Sequence, residues 1–446
     1  MHLNVLTQCC PAPTFEFMWA APEDRTASGY RNLRYWTDLA GKLERACVDA
    51  LFFADVHGVY DVYRDSWEPA FQHAVQVPAI DPLTVLPAAA AVTDHLGFAV
   101  TYSTAYHPPY QCARLFSSLD HVTDGRIAWN IVTSYLSSAA KNGLGEHLAH
   151  DSRYDRADEY VEVARALWER SWEDGAVVRD RSARTFTDPA KVRQIDHKGE
   201  FFTVRGPHLC EPSPQRTPVL YQAGASSRGL AFAAKHAEVV FMTLTGPARG
   251  GAQVAELRQA VRESGRDPAS VKVLQGMLVM VGQTEEQARA KARLYASLAD
   301  REALLTKWCG WTGIDVDGYP DDTRLDEIPH HAVRSALSFV QRASGSGVAT
   351  VGDAREFIGR LPPPTRTTAL FGTAEQVADR MEEWLERTGI DGFNLLPCPP
   401  GSGVDDVCDL LIPELQRRGL FRTSYDPAEK TLRERYFGAG NAAPRH

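Results

Sequence analysis

Runs of consecutive apolar residues recur along the chain, spaced so that a helix fits between most neighbours. Eight of them read as strands: "LNVLT" from Leu3, "ALFFAD" from Ala50, "GFAVTYST" from Gly97, "IAWNIVTS" from Ile127, "VLYQAG" from Val219, "VVFMT" from Val239, "VKVLQGMLVMVG" from Val271 and "GFNLLP" from Gly392. They are apolar continuously rather than alternately, as in strands covered on both faces. The stretches between them carry helical spacing. "YWTDLAGKLERAC" places Leu39, Leu43 and Ala46 on one side, and "RYDRADEYVEVARALWER" does so with Tyr160, Val163, Ala164 and Leu167. "TAEQVADRMEEWLERTG" starts at a capping Thr373 and ends at Gly389, and "DLLIPELQRRG" ends similarly at Gly419. Eight such strands alternating with helices, with no split into halves and no internal repeat, predict an α/β chain folded as one (β/α)8 TIM barrel rather than a doubly wound sheet.

Two stretches break this rhythm. Gly175 to Pro218 is polar, and its "HKGEFFTVRG" reads as a hairpin. Asp300 to Leu370 is rich in Gly, Pro and charge, with "SGSG" from Ser344 and "PPP" from Pro362. Both are too long for plain barrel loops. The expected organisation is a single domain over 1–446 with insertions at about 175–218 and 300–370 and a C-terminal tail from about 420.

Composition narrows the class. Of 446 residues, 44% are hydrophobic and 24% charged, the balance of an ordinary globular protein. A net charge of -9 without a long basic run argues against nucleic-acid binding, which needs concentrated positive charge. No apolar run is long enough to cross a bilayer, and "MHLNVLTQCC" lacks the charged and apolar regions of a signal peptide, so no membrane association is expected. Cys9, Cys10, Cys47, Cys112, Cys210, Cys309, Cys398 and Cys408 are scattered with no C-x-x-C pair. That suggests neither a disulfide framework nor a zinc site and fits a reducing cytoplasm. His147 and His150 have a spacing compatible with a metal, but no third ligand is evident, so no metal is expected.

The candidate chemistry sits at strand ends, which a barrel gathers at one mouth. "FFAD" ends in Asp55, "GFAVTYST" carries Thr101, Ser103 and Thr104, "WNIVTS" ends in Thr133 and Ser134, and "YQAGASS" carries Gln222, Ser226 and Ser227. Asn130 sits inside an otherwise apolar strand, where an amide without a partner costs about 1–3 kcal/mol. "YQAGASSRGLAFAAKHAE" reads as strand, glycine-rich turn and helix, with Gly224, Ser226, Ser227 and Gly229 at a helix N-terminus. That arrangement suits a phosphate and equally suits an ordinary N-cap by Ser226; it is neither a Walker loop nor G-x-G-x-x-G. "HDSRYDRADEY" puts His150, Arg153 and Tyr154 at another helix start, where donors can reach the same anion. No Ser–His–Asp or Cys–His nucleophile pattern stands out.

Taken together, "FFADVHGVYDVY", "TYSTAYHPPYQCARLFSSLDHVTDGRIAWNIVTS", "HDSRYDRADEYVEVARALW" and "PVLYQAGASSRGLAFAAKHAEVVF" resemble the bacterial-luciferase-like flavin monooxygenases. The matching subgroup is that of the nitrilotriacetate, dibenzothiophene-sulfone and long-chain alkane enzymes. The resemblance runs from His2 to about Gly438, and Thr101–Ser134 is its most specific block. It implies a TIM barrel that uses reduced FMN (FMNH2) and O2, with the FMNH2 supplied by a separate NAD(P)H:flavin oxidoreductase, and a homodimer or homotetramer. The cofactor would carry the oxygen chemistry, which accounts for the missing protein nucleophile. By position, Asp55, Thr101, His150, Tyr154, Ser226 and Ser227 match the family's FMN contacts. Of these, His150, Tyr154 and the Ser226 turn match the phosphate end, and Asp55 and Thr101 the ring and ribityl end. Asn130 then faces the barrel mouth and bonds either flavin or a neighbouring strand end.

This chain departs from the alkane enzymes on the substrate side. Tyr135 stands where they carry His after "VTS", Lys307 aligns with a second His in the late insertion, and "WAAP" from Trp19 replaces "WRHP", while a Cys is retained near Cys10. Cys10, Tyr135 and Lys307 are therefore the substrate-side candidates. Tyr135 with Trp19, Phe17, Cys10 and Trp308 would form an aromatic wall, pointing to a small apolar, heteroaromatic or organosulfur substrate rather than a polycarboxylate. The competing functions are a long-chain alkane hydroxylase and a non-oxygenating relative that binds F420 or flavin. A hydrolase on the same barrel would want paired carboxylates at the strand ends, where only Asp55 is clearly placed.

Overall fold

A computed structural model of the chain describes all residues except 14–16, 144–147, 225, 245, 329–336, 338–339, 342–347, 361–367 and 445–446. His147, the "SGSG" stretch and the "PPP" run lie outside the described residues.

The eight apolar runs form the eight strands of a closed parallel barrel. In chain order these are β1 (His2–Gln8), β2 (Ala50–Ala54), β3 (Gly97–Ser103), β4 (Ile127–Val132), β5 (Val219–Gln222), β6 (Val239–Met242) and β7 (Lys272–Val281), with β9 (Gly392–Pro397) completing the ring. Each pairs in parallel with the next, and β9 closes the circle by pairing with both β7 and β1. The expected barrel is therefore the observed one. β8 (Thr368–Gly372) was not expected. It pairs with the second half of β7, Met277–Val281, beyond the point where β6 pairs with the first half, Lys272–Gln275. It is thus a ninth strand attached outside the ring, and it begins within the stretch expected to be insertion.

Alternation along the strands builds two cores. Leu51 and Phe53 of β2, Phe98 and Val100 of β3 and Trp129 of β4 face outward onto the helices. Helix α1 (Leu33–Arg45), capped by Asn32, supplies Trp36 and Leu43 to this layer, and α2 (His150–Arg170) supplies Tyr160 and Leu167. α3 (Ser227–His236) follows β5. α4 (Arg301–Thr312) packs in a separate cluster of the late insertion, with Leu305, Trp308 and Cys309 against Ile314, Val351 and Ala354. α5 (Ala374–Thr388) has a full capping box at Thr373 and ends on Gly389 in the left-handed conformation, φ 69°.

The inner core holds Ala50, Phe52, Ala99, Ala128, Val219, Tyr221 and Leu274. The C-terminal helix α6 (Leu432–Phe437) plugs it from the N-terminal end of the barrel with Leu432 and Tyr436. Gly97 makes room for this plug, because a Cβ there would lie 2.6 Å from Leu432 Cδ1. In the earlier insertion Val177–Asp180 pairs antiparallel with Thr185–Thr187, and His197–Lys198 pairs with Thr203–Val204 as the "HKGEFFTVRG" pattern suggested. Among the described residues no helix is long and apolar enough to cross a membrane.

Candidate active site

The carboxyl ends of β2, β4 and β5 and the starts of α2 and α3 surround a cavity of about 260 Å³. It has two chemically different ends.

At one end the chain runs from β5 through Gln222, Ala223 and Gly224 into α3. Ser226 is the N-cap, its Oγ accepting from the Gly229 N–H at 3.0 Å. The two glycines cross closely: a Cβ on Gly224 would lie 2.9 Å from Gly229 Cα, and one on Gly229 would lie 2.9 Å from Tyr154 Oη. Only backbone fits there. His150, the first residue of α2, lines the same end with its ring 5.3 Å from that of Tyr154. Burial holds the Tyr154 phenol above its usual range, against the pull of Arg153 and the Ser226 hydroxyl, so it remains a donor at neutral pH. Arg153 reaches back to the Ser134 carbonyl at 2.5 Å while lining the cavity. Ser134 holds a positive φ of 58° and shares a 2.7 Å hydrogen bond with Ser103, which fixes the turn after β4. This explains the hydroxyls that end that strand.

An arginine, an imidazole, a phenol and a helix N-terminus on one cavity wall are a set of donors that can hold an anion. Gln222 Oε1, buried in the same lining with no partner among the described residues, is an acceptor and stands apart from these donors. The phosphate of FMN fits this donor set.

At the other end lies Asp55, closing β2. Burial, assisted by the Asp81 carboxylate and opposed by the Val56 N–H, pushes its carboxyl up to about 7. His57 Nδ1 lies 3.9 Å from Asp55 Oδ2, and burial beside His107 lowers the imidazole below its usual value. Val56, Leu136 and Tyr135 give this end an apolar lining. The Tyr135 hydroxyl lies 2.5 Å from that of Tyr60 and accepts from Trp311 Nε1 at 3.1 Å.

The remaining candidates lie elsewhere. Thr101 and Asn130 are buried inside the barrel and do not line the cavity. Thr101 Oγ1 donates to the Phe53 carbonyl at 2.8 Å and accepts from Asn130 Nδ2 at 2.9 Å. Asn130 therefore bonds a neighbouring strand, while its Oδ1 has no partner among the described residues. Ser227 is exposed at the start of α3 and is not part of the lining. Cys10 is buried after β1, away from the lining. Lys307 is buried in α4 with its ammonium 4.8 Å from the Trp311 ring. The aromatic wall does not assemble: Trp19 is 45% exposed, Phe17 packs on Tyr295 and Trp308 lies inside the insertion core. His57, Tyr106 and Trp311 were missed. His57 had a signal, since it follows Asp55 by two residues in "FADVHG", whereas Trp311 had none beyond its type. Among the described residues no group of three or more His, Cys, Asp or Glu side chains is placed to hold a metal.

The family model described as luciferase-like monooxygenase matches residues 15–392. The chain is 44% identical over 450 residues to the long-chain alkane monooxygenase of Geobacillus thermodenitrificans, covering 99% of this chain and 95% of that one. It is 43% identical over 442 residues to the dimethyl-sulfide monooxygenase of Hyphomicrobium sulfonivorans, covering 98% and 90%. Among solved structures, a riboflavin lyase with modified FMN and riboflavin superimposes with a TM-score of 0.92 at 32% identity, over 100% of this chain and 97% of the other.

Proposed function

The chain belongs to the luciferase-like monooxygenases, and from that premise we propose that it is the oxygenase component of a two-component system that takes FMNH2 from a separate NAD(P)H:flavin oxidoreductase and oxygenates a small, uncharged, apolar substrate. The observation that carries the reading is the convergence of His150, Arg153, Tyr154 and the Ser226 turn on an anion cradle at one end of a single cavity. Bound there, reduced FMN would supply the electrons that activate O2.

The chain's own residues bind, orient and exclude water. The α3 N-terminus, Arg153, His150 and Tyr154 would hold the phosphate. Gln222 offers a buried acceptor in the cavity wall, and a hydroxyl of the bound cofactor would satisfy it. Asp55, held near neutrality, can keep or release a proton at the far end of the cavity. Val56, Leu136 and Tyr135, with Ala303 of α4 packed behind them, would keep water from that end.

The test is anaerobic titration of the pure protein with FMNH2, oxidised FMN and F420. O2 is then admitted in the presence of dimethyl sulfide, a long alkane, dibenzothiophene sulfone or nitrilotriacetate. Tighter binding of FMNH2 than of oxidised FMN, and product formed with an apolar compound, are expected. Preference for F420, or rapid NADH oxidation by the protein alone, would overturn the reading.

A further inference from the structure

Tyr135 is fixed from outside the barrel. Tyr60 donates its proton to Gln76 Oε1 at 3.0 Å. The proton in the 2.5 Å contact between the two phenols is therefore Tyr135's own, directed at Tyr60 Oη. Trp311 fills a lone pair of Tyr135 from the other side. Lys307, one helical turn before Trp311, sets its ammonium 4.8 Å from the indole ring. A cation over the π face withdraws density from the ring and sharpens the N–H as a donor. α4 is seated on Tyr60 at Gly310, where a Cβ would fall 2.2 Å from Tyr60 Cδ1. Ala303 of α4 shares one apolar cluster with Tyr60, Val77 and Leu136, against which Val56, Tyr135 and Trp311 pack. Two residues that the sequence marks as substrate-side, Tyr135 and Lys307, are thus joined through a third that it did not mark.

We infer that Trp311 is a positioning residue that determines substrate specificity through Tyr135. It holds the phenol ring in the cavity lining, while the hydroxyl proton is committed to Tyr60. An uncharged apolar group, such as a thioether, an alkyl chain or an arene, gains from that ring by dispersion. A carboxylate needs a donor that Tyr135 has already spent on Tyr60. The inference rests on the oxygenase reading above and deepens it.

Trp311→Phe keeps an aromatic ring and removes the donor; Lys307→Met keeps the aliphatic stem and removes the cation. The first readout needs no flavin: fluorine NMR of protein labelled with 3-fluorotyrosine, with the Tyr135 resonance assigned by its loss in Tyr135→Phe. That resonance should shift and broaden in Trp311→Phe and shift less in Lys307→Met. The second readout is steady-state turnover of dimethyl sulfide and decane with FMNH2. KM for the organic substrate should rise about tenfold in Trp311→Phe, the scale of one lost neutral hydrogen bond, with kcat little changed. FMNH2 affinity should be unchanged, and adding Tyr135→Phe should add nothing. An unmoved fluorine resonance overturns the positioning role. An unchanged KM, or nitrilotriacetate turned over as efficiently as the thioether by the unmodified enzyme, overturns the specificity. Failure to take up FMNH2 overturns the oxygenase reading and the selectivity with it, whereas the fluorine spectrum alone decides whether Trp311 fixes Tyr135.

Discussion

Asn130 donates its side-chain amide to the Thr101 hydroxyl at 2.9 Å, joining two neighbouring strands inside the barrel. Thr101 passes the link on to the Phe53 carbonyl of a third strand at 2.8 Å. Thr101→Val keeps the shape, removes both bonds and leaves a buried amide without its acceptor. A loss of about 1–3 kcal/mol in urea denaturation is expected. Thr101→Ser, which retains the hydroxyl, should lose less than the valine variant. Equal losses would mean that the methyl group, not the hydrogen bonds, matters at this position.

His150 and Tyr154 give the second prediction. Tyr154 also packs on Phe232 and against Gly229, so its ring should be kept and only the hydroxyl removed. His150→Ala and Tyr154→Phe should each weaken FMNH2 binding by about five- to a hundredfold, the range of one lost contact to an anion. Far-UV circular dichroism should stay unchanged. Full affinity in both variants, measured by anaerobic fluorescence titration, would reduce this segment to a plain helix start.

The barrel strands were legible because both faces of each are covered, which leaves an apolar signal with no alternation to decode. β8 gave no comparable signal: "TALFG" is five residues long, pairs with one strand and sits at the edge of a polar insertion. The plug was hidden as well. "LRERYF" carries three charges in six residues, yet Leu432 and Tyr436, one turn apart, enter the barrel. For the site, polarity at strand ends identified Asp55, Ser134, Gln222 and Ser226, because closure of a barrel brings such ends together. Residue type could not tell that Thr101 and Asn130 lie below the cavity, or that Trp19 and Phe17 face away from it. Trp311 meets Tyr135 across 176 residues, and that contact depends on how α4 folds back over the mouth.

Asp55 predicts a pH dependence of stability. Its carboxyl is raised in the folded chain to about 7 by burial first, with Asp81 adding. In the unfolded chain it should titrate at about 4. Between these values the folded state holds a proton that the unfolded state has released, so stability falls as pH rises through this window. Below it both states are protonated and the effect vanishes. Asp55→Asn removes the titration. Without flavin, the variant should therefore match the parent near pH 4 and exceed it at pH 8 by several kcal/mol at most, at ~1.4 kcal/mol for each unit of separation. The check is guanidinium denaturation of both proteins at the two pH values. A parent that is the more stable of the two at pH 8 would show that the ionised carboxylate has a partner in the fold.

The plug supplies the last prediction. Arg433 of α6 is fully buried and forks onto Glu238 through Nε at 2.7 Å and Nη2 at 3.0 Å. Its remaining donors reach the carbonyls of Gln215 at 3.2 Å, Thr217 at 2.8 Å and Ala442 at 2.8 Å. Glu238 also accepts from the Leu220 N–H at 3.1 Å, so one ion pair ties the chain end to the start of β5 beneath the barrel. Arg433→Met leaves that carboxylate buried and uncompensated, at a cost of about 3–5 kcal/mol. Glu238→Leu in the same background removes the orphaned charge and should recover much of the loss, because a well-packed apolar pair can replace a buried ion pair. A double-mutant cycle by chemical denaturation measures the coupling. Additive losses would show that the carbonyl contacts of Arg433, rather than its pairing with Glu238, hold the plug in place.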